Sequence, residues 1–314
     1  MTDELRNALG IRFLKLYITL EISERCTLPR NKVSAIRGGI GEMLLRKNCI
    51  GNRDCVKCGF SRECAVQHIM YSKFSIQPAF ASRGDSVGYV LECHDTRESF
   101  QAGDKIKMGL LLFGSTIVHV RQILDAVHML GQEGIGKGHA KYVLTEAADM
   151  HGTVVCTEEY TDLRLAGPSY VYEYVNSRKE RFREASGLMI TMKSPLTVKY
   201  HRQFLEEFNM DAFFRAVKRR IYMLDCFEGI DALVYYRKRN AHIPILSQEC
   251  YMSGIPRYSN RKNEKMVLRG LMGKMQIEAP GREMLMLLLA GELLHIGKNT
   301  SFGFGEYELT QEME

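Results

Sequence analysis

Four cysteines stand in the segment CIGNRDCVKCGFSREC, at Cys49, Cys55, Cys58 and Cys64, in the pattern C-x5-C-x2-C-x5-C. Thiolates grouped this tightly can enclose one tetrahedral metal ion, and a C-x2-C pair is the usual grip of a structural zinc site. Structural zinc is therefore the expected cofactor; an iron–sulfur cluster takes the same ligands and stands as the alternative. Free cysteines are normally buried as small apolar side chains, and the polar residues around these four make unrelated thiols the weaker reading. Cys93, Cys156, Cys226 and Cys250 sit among apolar residues and read as core.

Two glycine-rich segments offer a second chemistry. GQEGIGKGH, residues 131–139, comes close to a nucleotide-binding P-loop. Yet Gly138 stands where a Ser or Thr would hold magnesium, and the segment leaves a helical pattern to enter a strand, the reverse of a P-loop. Both points argue against ATP. Gly134, Gly136 and Lys137 still offer backbone N–H groups and a cation to some other phosphate. GKNTSFGFG, residues 297–305, repeats the arrangement with Gly297, Lys298, Asn299, Ser301, Gly303 and Gly305.

Proton transfer needs an imidazole or phenol near such a phosphate. His119 and His128 lie on one helical stretch but off one face, and His201 and His242 lie in polar segments with no partner in view. His295 ends an apolar helical pattern two residues before Gly297 and Lys298, so it is the first candidate; the same position also suits a histidine that only caps a helix. His68 and Tyr71, three apart, form the second candidate pair if they share a helix face, although a place just after Cys64 also fits a neighbour of the metal site. Basic and aromatic residues interleave in AFFRAVKRRIYM, VYYRKRNAHI and GIPRYSNRKNEK, a mixture that meets phosphates with cations and bases with rings. In the first of these Phe213, Phe214, Val217 and Ile221 read as core, with Arg215, Lys218 and Arg219 on the wet side. The third has no apolar periodicity to explain it and supplies Arg257 and Arg261 as candidate contacts to nucleic acid.

The elements that must position these residues repeat. RFLKLYITLEI reads as a strand, followed by the amphipathic helix RNKVSAIRGGIGEMLLRK, and the half closes with TIVHVRQILDAVHML, the first glycine loop and the strand AKYVLTE. GLMITMKSPLTVKY, the helix MDAFFRAVKRRIYMLDCF, the helix REMLMLLLAGELLHI, the second glycine loop and the strand EYEL follow the same order. The expected fold class is α+β: two tandem ferredoxin-like (RRM-like) domains of order β-α-β-β-α-β, each ending in helix, glycine-rich loop and strand. Domain boundaries are expected at 1–180, with the cysteine-rich insertion at 49–64, and 181–314, with the glycine-rich loop at 297–305; NSRKERFREASG at 176–187 reads as the joint.

The 314 residues are 45% hydrophobic and 25% charged, a globular composition, and a net charge of +6 permits an anionic partner without demanding one. The longest apolar run, MLMLLLA at 284–290, is too short to cross a bilayer, and MTDELRNALG has no leader character. A cytoplasmic protein with no membrane partner is expected, with its cysteines reduced.

The closing HIGKNTSFGFGEYEL resembles the C-terminal glycine-rich motif of the CRISPR-associated pre-crRNA processing endoribonucleases, of the RAMP superfamily. AIRGGIGEMLLRK, GDKIKMGLLLFG, LGQEGIGKGHAKYVL and SPLTVK extend the resemblance over nearly the whole chain. It implies two ferredoxin-like domains and a glycine loop beside bound repeat RNA. It also implies metal-free cleavage by the substrate's 2′-hydroxyl, leaving 2′,3′-cyclic phosphate and 5′-hydroxyl ends, with no cofactor for the chemistry. The partners implied are CRISPR repeat RNA in pre-crRNA and subunits of a CRISPR effector complex. Arg37 in IRGGIG falls where a phosphate contact or a plain surface arginine would stand. Many members place a histidine in or near the first helix; residues 30–47 have none and RGGIG is followed by Glu42, so the proton carriers here fall to His295, or to His68 and Tyr71. A non-catalytic crRNA-binding subunit is the alternative, and a structural metal protein unrelated to RNA would leave both glycine loops to coincidence.

Overall fold

A computed structural model describes residues 1–55, 57–71, 73–80, 87–136, 138–182, 186–237, 242–259 and 264–311, without the side chains at 234, 235, 258 and 259. The chain divides into two compact units. Phe13–Phe74 and Ala79–Pro168 form the N-terminal unit; Met1–Arg12, Ser75–Pro78 and Ser169–Glu314 form the C-terminal one.

In the N-terminal unit the alternation of RFLKLYITLEI becomes the strand Arg12–Ile22, whose Leu14, Leu16, Ile18, Leu20 and Ile22 share one buried face. It lies between Lys105–Phe113 and Tyr142–Asp149, with Tyr89–Glu92 and Val154–Thr157 outside them, every pairing antiparallel. The helices Val33–Asn48 and Val120–Glu133 cover the apolar face with Ile36, Ile40, Met43, Leu44, Ile123, Leu124, Val127 and Leu130. Each such side chain removed from water contributes about 1.5–3 kcal/mol, which is why helix and sheet cannot separate cheaply.

The C-terminal unit repeats the plan. Its sheet runs Ile245–Ser259, Glu264–Glu278, Gly187–Met192 and Tyr307–Gln311, again antiparallel. Met210–Glu228 starts at Asn209, whose side chain accepts from the Ala212 N–H at 2.9 Å, and stops at left-handed Gly229. With Arg282–Leu294 it supplies the helical layer. Phe213, Phe214, Val217 and Ile221 are buried as their spacing predicts. Lys218, expected on the wet side, is buried instead, while Arg215 and Arg219 are exposed. Cys156 and Cys226 are core; Cys93 and Cys250 are only half-buried. Both sheets therefore carry the β-α-β-β-α-β order of the ferredoxin-like fold twice over.

One tie recurs in both units. Tyr142, just after the first glycine loop, donates its hydroxyl to Val127 O of the preceding helix at 2.6 Å, and Tyr307, just after the second, donates to Leu288 O at 2.5 Å. Each ring needs room against that helix, and a glycine supplies it: a Cβ on Gly131 would run into Tyr142, and one on Gly291 into the Tyr307 hydroxyl. A buried phenol must find an acceptor, so the helix–loop–strand ending is fastened at the same place in each unit.

The division between units falls at Pro168/Ser169 rather than at 180/181. Val171–Lys179 is a helix of the C-terminal unit with Val171 and Val175 buried, and Arg178 reaches Glu292 at 2.7 Å while Glu292 also accepts from Tyr174 Oη and Leu309 N. The charge run expected as a joint thus places Arg178 in an internal pair.

Candidate functional site

The C-terminal glycine loop folds back onto Pro195–Val198. Lys298 N–H donates to Thr197 O at 2.8 Å, Gly305 N–H to Pro195 O at 3.0 Å, and Ile296 N–H to Gly305 O at 3.0 Å. Within the loop Phe302 and Gly303 donate to Asn299 and Thr300 carbonyls. Gly297, Gly303 and Gly305 all have φ between 76° and 83°, and a Cβ on Gly297 would stand 2.6 Å from Thr197 O. The glycines are thus required by backbone geometry. This corrects the expectation that the loop as a whole offers N–H groups to phosphate: Ser301, Gly303 and Gly305 are buried, and the amides of Lys298, Phe302, Gly303 and Gly305 are already engaged. What the loop presents outward is Gly297 and Lys298, with Asn299 half-exposed at φ 63°. Arg257, on the strand Ile245–Ser259, lies with its guanidinium carbon 4.4 Å from the Phe302 ring centroid, so the structure joins that candidate to this loop. Arg261 and Lys137 lie outside the described residues.

His295 does not stand in the open. It is fully buried at φ 56°, its Nδ1 lies 3.1 Å from Phe304 O, and a ring nitrogen is within 4.8 Å of a Glu306 carboxylate oxygen. It stands at the C-cap position of Arg282–Leu294, while the Leu294 carbonyl accepts from Arg220 Nε at 3.0 Å. Its reactive role is therefore corrected to a structural one, holding the start of the loop against its end. His295→Ala is expected to cost about 2 kcal/mol from the emptied space and the lost contact, read as a fall in Tm. A general acid or base would be worth a hundredfold or more in rate; here any RNA cleavage should change less than about tenfold in single turnover.

In the N-terminal loop Gly134 ends the helix Val120–Glu133 at φ 95°, its N–H donating to Leu130 O at 2.7 Å, where a Cβ would overlap the His139 carbonyl. Ile135 and Ala140 pair across a tight turn, and Gly136 stands exposed at φ 70° with open space around it. Arg37 is half-buried, its guanidinium carbon 5.8 Å from the Tyr89 ring centroid.

The four cysteines link two helix ends. Cys49 follows Val33–Asn48, its N–H on Leu45 O, and Cys64 precedes Ala65–Met70, its N–H on Phe60 O. All four are half-buried, Cys64 against the N-terminal core, while Ile50 and Phe60 of the same segment are exposed, so the described part of the loop has little apolar packing to order it. Burial raises the Cys55 thiol pKa, and Cys64, Cys49 and Cys58 stand close enough to raise it further, against a hydrogen bond from Tyr71 that lowers it. A bound cation would reverse that repulsion. No three of these sulfurs lie within 4.8 Å of one another, whereas a metal with bonds of about 2.3 Å would hold them about 3.8 Å apart. The donor set fits zinc, and the loop has to contract around it.

Tyr71 and His68 do not share a helix face. The helix stops at Met70, Tyr71 is extended at φ −130°, and its hydroxyl turns to Cys55. His68, half-exposed, has Nε2 2.6 Å from Arg62 O and packs edge-on against His119, ring centroids 5.7 Å apart. Burial, and then His68, hold the His119 pKa below its usual value. Sequence spacing set His119 on one helix with His128; it ends the 3-10 turn Gly114–His119 instead, and that break in helical phase carries it to His68. No sequence signal pointed to that contact, nor to Phe302 beneath Arg257.

Residues 190–307 match the family model of the CRISPR-associated endoribonuclease Cas6, and residues 11–165 match a model described as the AF_1859 N-terminal domain. No curated protein matches the sequence. Among solved structures the chain is similar to one chain of a partial Cas6-RT-Cas1–Cas2 complex at TM-score 0.58 and 12% identity, over 97% of this chain and 47% of that one. A second Cas6-RT-Cas1–Cas2 complex is matched over 29% of its chain. The protein thus spans about half the length of the first and under a third of the second. The Thermus thermophilus Cas6 superposes at TM-score 0.50 and 11% identity, over 96% of this chain and 99% of that one. At these identities the likeness is one of fold. The matched C-terminal model, the doubled ferredoxin-like fold and the two glycine-loop endings agree: residues 190–307 are similar to the CRISPR-associated endoribonuclease family Cas6, and the chain as a whole has the fold of the Cas6 structures it matches.

Proposed function

We propose that the protein cuts CRISPR repeat RNA within pre-crRNA, in the cytoplasm, without a catalytic metal. The 2′-hydroxyl loses its proton and attacks the adjacent phosphorus; the O2′–P bond forms as the P–O5′ bond breaks, and the leaving oxygen takes up a proton. A 2′,3′-cyclic phosphate and a 5′-hydroxyl result. The observation that carries this reading is the C-terminal glycine loop within the Cas6-matched residues, with Lys298 at its exposed edge and Arg257 over Phe302. A cation there stabilises the charge that builds on the phosphate in the transition state. Arg37 and the exposed Gly136 edge are further candidate phosphate contacts. With His295 buried, the proton-carrying role passes to His68, with His119 packed beside it. The cysteine segment holds a structural zinc apart from this chemistry, and the partners are repeat RNA and subunits of a CRISPR effector complex.

Labelled repeat RNA incubated with protein in EDTA tests the proposal. Cleavage should continue, its products should carry cyclic phosphate ends, and a 2′-deoxy substitution just upstream of the cut should abolish it. Cleavage of the deoxy substrate would refute the mechanism. The burial of His295 and the lack of any histidine in Val33–Asn48 favour a second reading, a non-catalytic crRNA-binding subunit. Tight binding with no cleavage would select it.

A further inference from the structure

The short hairpin that follows Pro195–Val198 has features a plain chain reversal does not need. Lys199 pairs with Phe204 and Tyr200 with Gln203, leaving a two-residue turn of His201 and Arg202. Both turn residues are left-handed, at φ 47° and 70°. Such a turn is at ease with Asn-Gly, because two positive φ angles in succession suit residues with little or no Cβ conflict. Here a ring and a guanidinium occupy those positions. Strain that persists at one exposed place points to a use for the side chains it displays.

The display is of one kind. Lys199, His201, Arg202 and Phe204 are exposed, with Phe204 at 52%. Lys199 Nζ stands 4.7 Å from the Phe204 ring centroid, Arg215 stacks on Tyr200 at 5.3 Å, and Tyr200 meets the His201 ring edge-on at 4.1 Å. Cations and rings alternate on a surface with no apolar core to serve. The hairpin also continues directly from the segment that receives the glycine loop: Thr197 O holds Lys298 N–H, and a Cβ on Gly297 would touch Val198. Exposed Gly297 and Lys298 thus pack on the backbone that leads into this turn.

We infer that Lys199–Phe204 is a second RNA subsite, in which Arg202 takes one phosphate of a single-stranded stretch and the Tyr200, His201 and Phe204 rings receive flanking bases. The inference rests on the reading of the protein as one that binds repeat RNA, and it assigns a task to a segment that the glycine loop alone leaves without one.

The decisive variant is His201→Asn with Arg202→Gly, which keeps the turn and relieves its strain. It is expected to melt no lower than the parent protein. Its Kd for a fluorescent, unstructured RNA of about ten nucleotides should rise about tenfold, and the slope of log K against log salt should shrink by about 0.7, the share of one phosphate on a single strand. Phe204→Ala, read beside it, leaves the turn residues in place and should weaken binding by about fivefold through lost stacking. Unchanged affinity and salt slope in both variants, with the parent protein binding RNA, would overturn this subsite alone. Failure of the parent protein to bind any repeat RNA would overturn both the subsite and the RNA-processing reading.

Discussion

Purified protein is expected to carry one zinc ion, and Cys55→Ser with Cys58→Ser is expected to carry none. The four thiols sit on a loop that, among its described residues, leaves Ile50 and Phe60 in water and packs only Cys64 against the core. Burial and the neighbouring thiols raise Cys55, so an empty site resists forming the thiolates that a metal would bind. A dipositive ion removes that resistance and draws the sulfurs together. Its loss should release the segment between Asn48 and Ala65 and cost about 3 kcal/mol, a fall in Tm of roughly 5–10 °C for a unit of this size. Elemental analysis reads the first expectation and a melting curve the second. Iron with acid-labile sulfide in place of zinc would assign a cluster to the same four ligands; a metal content untouched by the double substitution would remove the site.

Gly305→Ala should be the most damaging single methyl group in the chain. At φ 76° the new Cβ would stand 1.8 Å from the carbonyl oxygen of Ile296, the residue whose own N–H donates to Gly305 O. Backbone cannot step aside as a side-chain tip can. Conformational strain near 1 kcal/mol adds to the clash, and a loss above about 4 kcal/mol, seen as insoluble or unfolded protein, is expected. Gly136→Ala is the control: φ is 70°, yet nothing lies within 4 Å of the added carbon. It should cost only about 1 kcal/mol, so the difference between the two isolates the overlap. Equal stability of the two variants would mean that the loop does not close on Ile296 as described.

Much of the architecture was written in the chain because its forces are periodic. Leu14 to Ile22 alternate, Phe213 to Ile221 return every helical turn, and both patterns reach their predicted elements. What failed to show were effects with no period. Residues 176–187 read as a solvated joint because their charges hide the end of the helix Val171–Lys179 and Arg178, whose pairing with Glu292 joins positions far apart in the chain. The site was legible as chemistry and less so as geometry. Glycine loops announce a turn, but whether their amides face a ligand or the protein's own carbonyls depends on Pro195–Val198. His295, read as a proton carrier beside the loop, is buried; His119, read on one helical stretch with His128 but off its face, meets His68. Each of these outcomes turns on a change of backbone direction over one or two residues.

The membership of Met1–Arg12 in the C-terminal unit bears on how the chain is made. Leu5, Ala8, Leu9 and Ile11 are buried there, Ala8 O accepts from Tyr236, Leu9 O from Tyr172 N–H, Ile11 O from Val171 N–H, and Arg12 grips Glu228 at 2.6 Å. This segment is thus made well before these partners, all of which are encoded beyond Pro168. At ordinary elongation rates the wait is roughly ten to thirty seconds. Throughout it the N-terminal unit can fold as an inserted domain, while a short apolar helix stays uncovered, a stretch that a chaperone would hold.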